Sequence, residues 1–229
     1  MKHILTLITF CALFTISAYS QKNKYWTSGL EIPFQEATIK DDNNENAQST
    51  LRFAPIINLQ TMYNIDMSEH FGLFTGLAVR NVGYIYNDYQ TVLPEESTTP
   101  IKKKFRSYNI GIPVGIKVGT MDGFFFYGGY EIEFPFAYKE KTFNTAGEKS
   151  YSDVYWFSNR VNVPQQSWLI GVQFPYGFNL KFKYYFTEFN NKDFEVNGVK
   201  PYEGLSAHVW YISLNTMLFK NLKFDAAQK

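Results

Sequence analysis

The sequence predicts an all-β fold, an eight-stranded antiparallel up-and-down transmembrane β-barrel. Between Tyr25 and Phe219, eight segments alternate apolar and polar residues, which is the two-residue period of strands with one apolar face. Their connections alternate between long polar loops and very short turns, as in barrels that span an outer membrane. Aromatic residues form 19% of the chain although the mean hydropathy is only −0.27, which fits aromatic girdles around a polar lumen.

The N-terminus predicts export. Lys2 supplies a basic start, Ile4–Ile16 is a short apolar run, and Ala18–Ser20 has the small-x-small pattern of a cleavage site. We therefore assign residues 1–20 to a signal peptide and residues 21–229 to one outer-membrane β-barrel domain. The apolar run of about 13 residues is too short for a helix to cross a bilayer core of roughly 30 Å. We expect the mature chain in the cell outer membrane.

Composition excludes several classes of site. Cys11, the only cysteine, lies in the signal, so the mature chain can form no disulfide, Cys-ligated zinc site or thiol nucleophile. The 22 Lys and Arg residues balance 21 Asp and Glu residues, which gives no reason to expect a nucleic-acid partner. We expect outer-membrane lipid as a partner and no cofactor, and the oligomeric state stays open.

The first three segments show the alternation with increasing clarity. Tyr25–Phe34 has the weakest pattern. Arg52–Ile65 places Phe53 and alternate apolar residues outward, and it turns through Asp66–His70 into Phe71–Tyr86. In that third segment the apolar residues alternate with glycine, alanine and arginine, which predicts a lipid-facing and a lumen-facing side.

The middle hairpin carries the clearest signal. In Tyr108–Val118 every even-numbered residue is apolar or aromatic, and every odd-numbered residue is Asn, Gly, Pro or Lys. The short turn Thr120–Gly123 contains Asp-Gly, a strong hairpin signal. Phe124–Phe136 follows with large apolar residues on even positions and Glu131 and Glu133 on odd ones. These carboxylates are therefore expected inside the barrel.

The last three segments complete the even strand count. Ser167–Phe174 turns at Pro175–Gly177 into Asn179–Phe189, and the final segment ends near Phe219 before a short polar tail. The long connections are residues 35–51, 87–103, 139–165 and 190–204. With both termini in the periplasm, these loops face the outside and the short turns face the periplasm.

Three prolines conflict with regular strands. Pro55, Pro113 and Pro135 fall inside predicted segments, where proline removes a ladder hydrogen bond and is normally confined to edges or bulges. A closed barrel has no edges, so we expect bulges at these positions. Alternatively, Pro55 and Pro135 lie where their strands emerge above the membrane.

The inward face is expected to collect charged residues. Small eight-stranded barrels have lumens just wide enough to be filled by side chains, so the structural interpretation is an ion-pair network that plugs the barrel. The functional alternative is a narrow polar channel. Glu131 and Glu133 could also form an acid–base or metal pair, but pairing with Lys117 across the hairpin explains them more simply. The predicted lumen network consists of Glu31, Arg52, Arg80, Lys117, Glu131, Glu133, Lys181 and Lys183.

The sequence provides no catalytic set. Hydrolytic enzymes on such barrels need a serine or acid together with a histidine. His70 falls at a periplasmic turn, while His208 shares an outward face with Ser206 near the rim, with no acid placed beside them. We therefore expect a non-enzymatic protein without catalytic, cofactor-binding or metal-binding residues. Aromatic residues near the strand ends, such as Trp26 and Tyr176, are expected in the interfacial girdles.

The longest loop carries an aromatic cluster. Tyr151, Tyr155, Trp156 and Phe157 lie within seven consecutive residues, 151–157, and nothing in the sequence covers them. Exposed aromatic segments favour contact with a protein or glycan. Alternatively, these residues extend strands above the membrane and pack on neighbouring loops. A protein partner bound through the extracellular loops is one prediction that follows.

Four strand motifs resemble a known family. They are Arg80–Tyr86 (RNVGYIY), Gly111–Gly119 (GIPVGIKVG), Tyr127–Phe136 (YGGYEIEFPF) and Asn179–Phe186 (NLKFKYYF). These motifs resemble the PorT-like outer-membrane β-barrel proteins of Bacteroidota, over about residues 25–219. The resemblance implies the architecture and not an activity. Although PorT is tied to type IX secretion, the resemblance does not extend that role to this chain.

Three functions are consistent with these features. The first is a non-enzymatic outer-membrane barrel with a plugged polar lumen and long extracellular loops, in a structural or accessory role. The second is a subunit of a larger outer-membrane machine for secretion, assembly or uptake. The third is a soluble secreted ligand-binding barrel of lipocalin type, which would place apolar side chains inside and charges outside.

Overall fold

The computed structural model describes residues 23–42, 45–89, 101–144 and 147–220. The predicted signal peptide, residues 1–20, and its cleavage site before Gln21 lie outside these ranges. Among the described residues, no helix is long and apolar enough to cross a membrane. The strands in chain order are β1 Asn23–Asp41, β2 Ser49–Thr50, β3 Arg52–Phe53, β4 Leu59–Asp66, β5 Phe71–Tyr89, β6 Ile101–Gly119, β7 Phe125–Phe143, β8 Lys149–Trp156, β9 Gln165–Gln173, β10 Phe178–Tyr185 and β11 Leu205–Lys220.

Eight strands close into a ring. Their order round the barrel is β1, β4, β5, β6, β7, β9, β10 and β11, and β11 pairs back onto β1. All of these pairings are antiparallel. The shorter strands β2, β3 and β8 pair with β5, β1 and β7 at the end where the long connections lie. The predicted eight-stranded antiparallel up-and-down barrel is confirmed.

Several strands run beyond the predicted segments. β1 continues past Phe34 to Asp41, because residues 36–41 pair with residues 205–210 of β11. β7 continues to Phe143, and β8 pairs with it inside the region predicted as a loop. The prediction ended these strands too early because their outward side chains become charged or polar above the apolar band. Parts of the predicted connections at residues 35–51, 87–103 and 139–165 are therefore strand.

The three prolines lie in different backbone environments. Pro135 lies beside a bulge, because the register between β6 and β7 shifts after Tyr108. Pro55 lies outside the strands, in the break between β3 and β4. Pro113 is opposite Glu131 in unbroken register, so the expected bulge there is wrong. On the side of β6 that faces β5, the hydrogen-bonded ladder is interrupted at Pro113, although the register is the same before and after it. This interruption accommodates the proline, which has no backbone N–H to donate.

Side chains alternate with the predicted orientation. The apolar residues of one face of β6 are each 40% to 50% exposed, namely Ile110, Ile112, Val114, Ile116 and Val118. On the opposite face, Asn109 and Lys117 are buried. Apolar residues are therefore outside the barrel and polar residues inside, the reverse of a soluble protein.

The interior divides into two halves along the barrel axis. The polar half, towards the short turns, contains the buried residues Glu31, Asn64, Asp66, Arg80, Lys117, Glu131, Glu133, Lys181 and Lys183. The aromatic half, towards the long connections, contains a buried cluster that includes Tyr84, Tyr86, Tyr89, Phe105, Tyr138, Val161, Tyr185, Phe189, Tyr202 and Tyr211.

Candidate functional site

Ion pairs and one serine hydrogen bond join five strands in the polar half. Arg80 of β5 donates from Nε to Glu131 Oε1 of β7 at 3.0 Å, and another of its nitrogens contacts Glu31 of β1. Lys181 of β10 donates to Glu31 Oε2 at 2.8 Å, and Ser213 Oγ of β11 donates to the other oxygen of Glu31 at 2.6 Å. Arg80 thus links the two carboxylates at the centre of the barrel.

A third cation completes this arrangement. Lys183 Nζ lies 2.6 Å from Glu131 Oε2 and also contacts Glu133. Tyr185 donates its hydroxyl to Glu133 Oε1 at 2.7 Å, and Asn109 donates its amide to Glu133 Oε2 at 2.7 Å. Each carboxylate therefore accepts bonds from at least two groups, which is what buried charges require.

A glycine makes room for these carboxylates. Gly111 is opposite Glu133 in the β6–β7 ladder and points inward. A Cβ atom built there would overlap Glu131 Oε1 and would lie 3.2 Å from Glu133 Cγ. Gly111, the first residue of the GIPVGIKVG motif, thus has a packing role beside the charges.

Lys117 does not pair as the sequence predicted. We expected Glu131 or Glu133 as its partner, but its Nζ contacts Asp66 of β4. It also donates to Tyr25 Oη at 3.1 Å and to Asn64 Oδ1 at 3.2 Å. The reason is register: Lys117 is opposite Tyr127, so Glu131 lies four residues further along β7.

Arg52 is also placed differently from the expectation. It is buried, but its guanidinium donates to Gln35 and to the side chain and backbone carbonyl of Asn81, so its hydrogen-bond partners are neutral. No ion pair to Arg52 is found within the described ranges. Its bonds support the break between β3 and β4, where Asn58 donates to the backbone of Ala54. The assignment of Arg52 to an ion-pair network is therefore wrong.

A cavity opens below the ion pairs. It has a volume of about 260 Å³ and lies at the short-turn end of the barrel. Arg80 and Lys181 line its inner end, and Met121 and Tyr176 belong to the turns around its mouth. The ion-paired side chains thus form the floor of a vestibule.

Loops and tyrosines fill the other end of the barrel. Glu140 accepts hydrogen bonds from Tyr138 and Tyr202, each at 2.9 Å, and pairs with Lys103 at 2.9 Å. Burial opposes ionisation of Glu140, but Lys103 and these hydrogen bonds lower its pKa overall. Val161, from the long connection between β8 and β9, is 2% exposed within the cluster. The connection therefore folds into the mouth.

The aromatic residues of the longest connection separate into two groups. Tyr151 and Tyr155 both hydrogen-bond Asp153, and Arg160 stacks over the Tyr155 ring at 4.2 Å. Trp156 and Phe157 are exposed to solvent, at 67% and 78%. Tyr155 thus packs on neighbouring residues and Trp156 stacks on Phe136 at 6.2 Å, while contact with a partner stays a prediction.

Glu188 is an acid at the outer rim that sequence analysis did not assign beside Ser206 and His208. Ser206 donates its hydroxyl to Glu188 Oε1 at 2.6 Å, and Lys192 pairs with the same oxygen at 2.9 Å. His208 Nδ1 lies 3.3 Å from the Tyr185 carbonyl oxygen. The serine proton therefore points to the carboxylate and not to the histidine, which is not the arrangement of a nucleophilic triad. The described ranges contain no cluster of three metal-ligating side chains.

Comparison with known proteins finds similarity only to solved structures. No protein-family model and no curated protein sequence matches the chain. Solved structures that it resembles include Ail, the attachment invasion locus protein of Yersinia pestis, with 11% identity, 86% of this chain and 100% of that chain covered, and a TM-score of 0.37. Neisserial surface protein A has 14% identity, with 86% and 99% covered and a TM-score of 0.35. OprG from Pseudomonas aeruginosa has 10% identity, with 85% and 95% covered and a TM-score of 0.35.

These likenesses are too distant to support a functional argument. The identities are below 25% and the TM-scores are below 0.5. With no family model or curated sequence matched, the resemblance to the PorT-like family stays a prediction.

Proposed function

We propose that this chain is a non-enzymatic outer-membrane β-barrel protein with a plugged polar lumen and long extracellular loops, in a structural or accessory role. The observation that carries the proposal is the inverted distribution of polarity. Charged side chains such as Glu131 and Lys183 have no exposed surface, whereas Ile112 and Leu77 are 40% and 61% exposed. A soluble ligand-binding barrel needs the opposite arrangement, so this distribution disfavours the lipocalin-type alternative.

The dimensions of the apolar surface support a membrane position. On β6 the outward residues from Ile110 to Val118 are all apolar, and this stretch is about 27 Å long at roughly 3.3 Å per residue. A strand tilted by about 40° would cover roughly 20 Å of height, close to the apolar band of about 25 Å in outer-membrane barrels. Trp26 stacks on Tyr63 at one end and Tyr108 on Phe136 at the other, as expected for girdles.

The plug is supported by two successive obstructions. The polar half crosses the lumen with ion pairs, and the aromatic half fills the mouth with tyrosines and loop residues. An eight-stranded barrel is only wide enough for side chains. These features disfavour the channel alternative.

Cell fractionation tests the proposed location. We expect the protein to stay in the membrane pellet after alkaline carbonate washing and to require detergent for extraction. Recovery in the soluble periplasmic or culture fraction would overturn the proposal.

The second candidate is a subunit of a larger outer-membrane machine. The exposed Trp156 and Phe157 favour it, because large aromatic side chains on a surface are typical anchors of protein interfaces. Its test is purification from native membranes in mild detergent. A stoichiometric partner that is lost in a Trp156→Ser/Phe157→Ser variant would support this candidate, and a lone barrel would support the accessory role.

A further inference from the structure

One face of the barrel has a concentration of positive charge above the apolar band. We define the basic face as the outward residues of β6, β7 and β8 at the long-connection end, namely Lys102, Lys104, Arg106, Lys139, Lys141 and Lys149. Their orientation follows from their neighbours, because Phe105, Ser107 and Tyr138 point into the barrel and are at most 1% exposed. The cations therefore lie on the outer wall.

The strand register places like charges directly opposite each other. Arg106 is paired with Lys139 and Lys104 with Lys141 in the β6–β7 ladder. Cross-strand neighbours have Cβ atoms about 5 Å apart, and like charges at that spacing are destabilising. The sequence therefore maintains two unfavourable pairs side by side where an anion could bridge them.

These cations also lack carboxylate partners. No ion pair joins any residue of the basic face to an acid within residues 23–42, 45–89, 101–144 and 147–220, whereas elsewhere at this end Lys103 pairs with Glu140 and Lys192 with Glu188. Burial and neighbouring cations lower the pKa values of Lys104 and Lys141. Arg106 donates to Tyr108 Oη at 3.1 Å and Lys104 lies 4.8 Å from the centre of the Phe143 ring, but no described carboxylate neutralises the basic face.

The position of the basic face identifies the kind of anion. Arg106 stands two residues beyond Tyr108, about 7 Å further along the strand than the aromatic girdle. Tyr108, Phe136 and Trp156 form a continuous aromatic strip below it, with centroids 6.4 and 6.2 Å apart. A ligand that fits both features has phosphate groups at headgroup level and acyl chains beside the apolar wall.

We propose that the basic face binds the phosphate groups of a phosphorylated glycolipid of the outer leaflet, of lipid A type. Phosphate suits the site because its several acceptor oxygens can each take a charge-assisted hydrogen bond from a Lys or Arg. Two phosphates on one sugar headgroup can bridge the Arg106–Lys139 and Lys104–Lys141 pairs. This inference rests on the proposed membrane location.

Native mass spectrometry of the purified full-length protein in non-ionic detergent tests the inference. The probes are bis-phosphorylated lipid A and the same lipid after removal of its phosphates. The test variant is Lys104→Gln/Arg106→Gln/Lys141→Gln, and the matched control is Lys40→Gln/Lys192→Gln/Lys200→Gln, which removes the same charge at the same end of the barrel. We expect at least about tenfold weaker binding of phosphorylated lipid A to the test variant, the equivalent of one lost charge-assisted hydrogen bond, and unchanged binding to the control.

Further measurements keep the outcomes distinct. Heat-modifiable migration in gels reports whether each variant is folded. Should the test variant not fold, raising NaCl from about 0.05 to about 0.5 M must weaken lipid A binding to the wild type. Equal binding to the test variant, no effect of salt, or equal binding of dephosphorylated lipid would overturn the inference. Equal competition by the deacylated phosphorylated disaccharide would assign the site to a soluble polyanion and would also overturn it. Cell fractionation reports separately on the membrane location.

Discussion

The two halves of the lumen close it by different physical means. In the polar half, Arg80 and Lys183 connect carboxylates on different strands, and every charged group depends on a specific partner. In the aromatic half, Tyr84 stacks on Phe105 at 4.9 Å and packs edge-on against Phe189 at 5.5 Å, so that ring packing dominates. We therefore expect single substitutions to cost more where a buried charge loses an ionic partner than where many rings share the contact.

The largest expected effect is in the polar half. Arg80→Met removes one cationic partner from each of Glu31 and Glu131. We expect the free energy of unfolding to fall by about 3–5 kcal/mol, the usual cost of breaking a buried ion pair. Urea unfolding in lipid vesicles measures it. The control is Lys192→Met, whose exposed pair with Glu188 should contribute at most about 1 kcal/mol. Similar losses from both variants would contradict the importance of burial.

The outer wall provides the next effect. Ile112 lies in the middle of the apolar face of β6, and Ile112→Arg should lower the free energy of unfolding by about 2–4 kcal/mol if it meets the bilayer midplane. Ile112→Leu keeps the apolar surface and should cost less than about 1.5 kcal/mol. A tolerated arginine would show that this wall does not face lipid.

A smaller effect is expected where the backbone approaches the charges. Gly111→Ala would push a methyl group against Glu131 and force its carboxylate to move, at a cost of about 1–3 kcal/mol. Gly123→Ala is the matched control, because its added Cβ would have no neighbour closer than 3.8 Å. The same vesicle unfolding assay compares them, and equal stability of the two variants would remove the packing role of Gly111.

The smallest effect sharpens the contrast between the halves. Tyr84→Phe removes one hydrogen bond, from the tyrosine hydroxyl to Asn190 Oδ1, and keeps the ring contacts. We expect a loss of about 1 kcal/mol in the free energy of unfolding, the usual net value of one hydrogen bond. A loss as large as that of Arg80→Met would mean that polar contacts dominate both halves.

Alternation alone was sufficient to predict which side chains face inward. The even and odd positions of Tyr108–Val118 were assigned correctly because a strand has a strict two-residue period. Alternation could not predict the partner of Lys117, because the partner depends on how far each strand is staggered against the next strand round the barrel. Asp66, two strands away, reaches Lys117, whereas the carboxylates on the neighbouring strand β7 lie deeper in the barrel.

Polar strands were the second source of error. The outer parts of β1 and β7 have charged outward residues such as Glu36 and Lys139, so their sequences look like loops although their backbones pair with neighbouring strands. The contact between Ser206 and Glu188 was missed for a different reason, because the prediction placed Glu188 in a strand and the structure places it in the connection after β10. Like charges in register at Arg106 and Lys139 became visible only with the pairing.

Conductance across a planar lipid bilayer tests most directly whether the two halves seal the lumen. We expect no steady conductance above that of the bare membrane for the wild type, because the ion pairs around Arg80 cross the lumen. Phe105→Ala, which loosens only the aromatic half, should stay closed for the same reason. A steady open pore in the wild-type protein would contradict the account, because the buried charges would then line a path for water and ions.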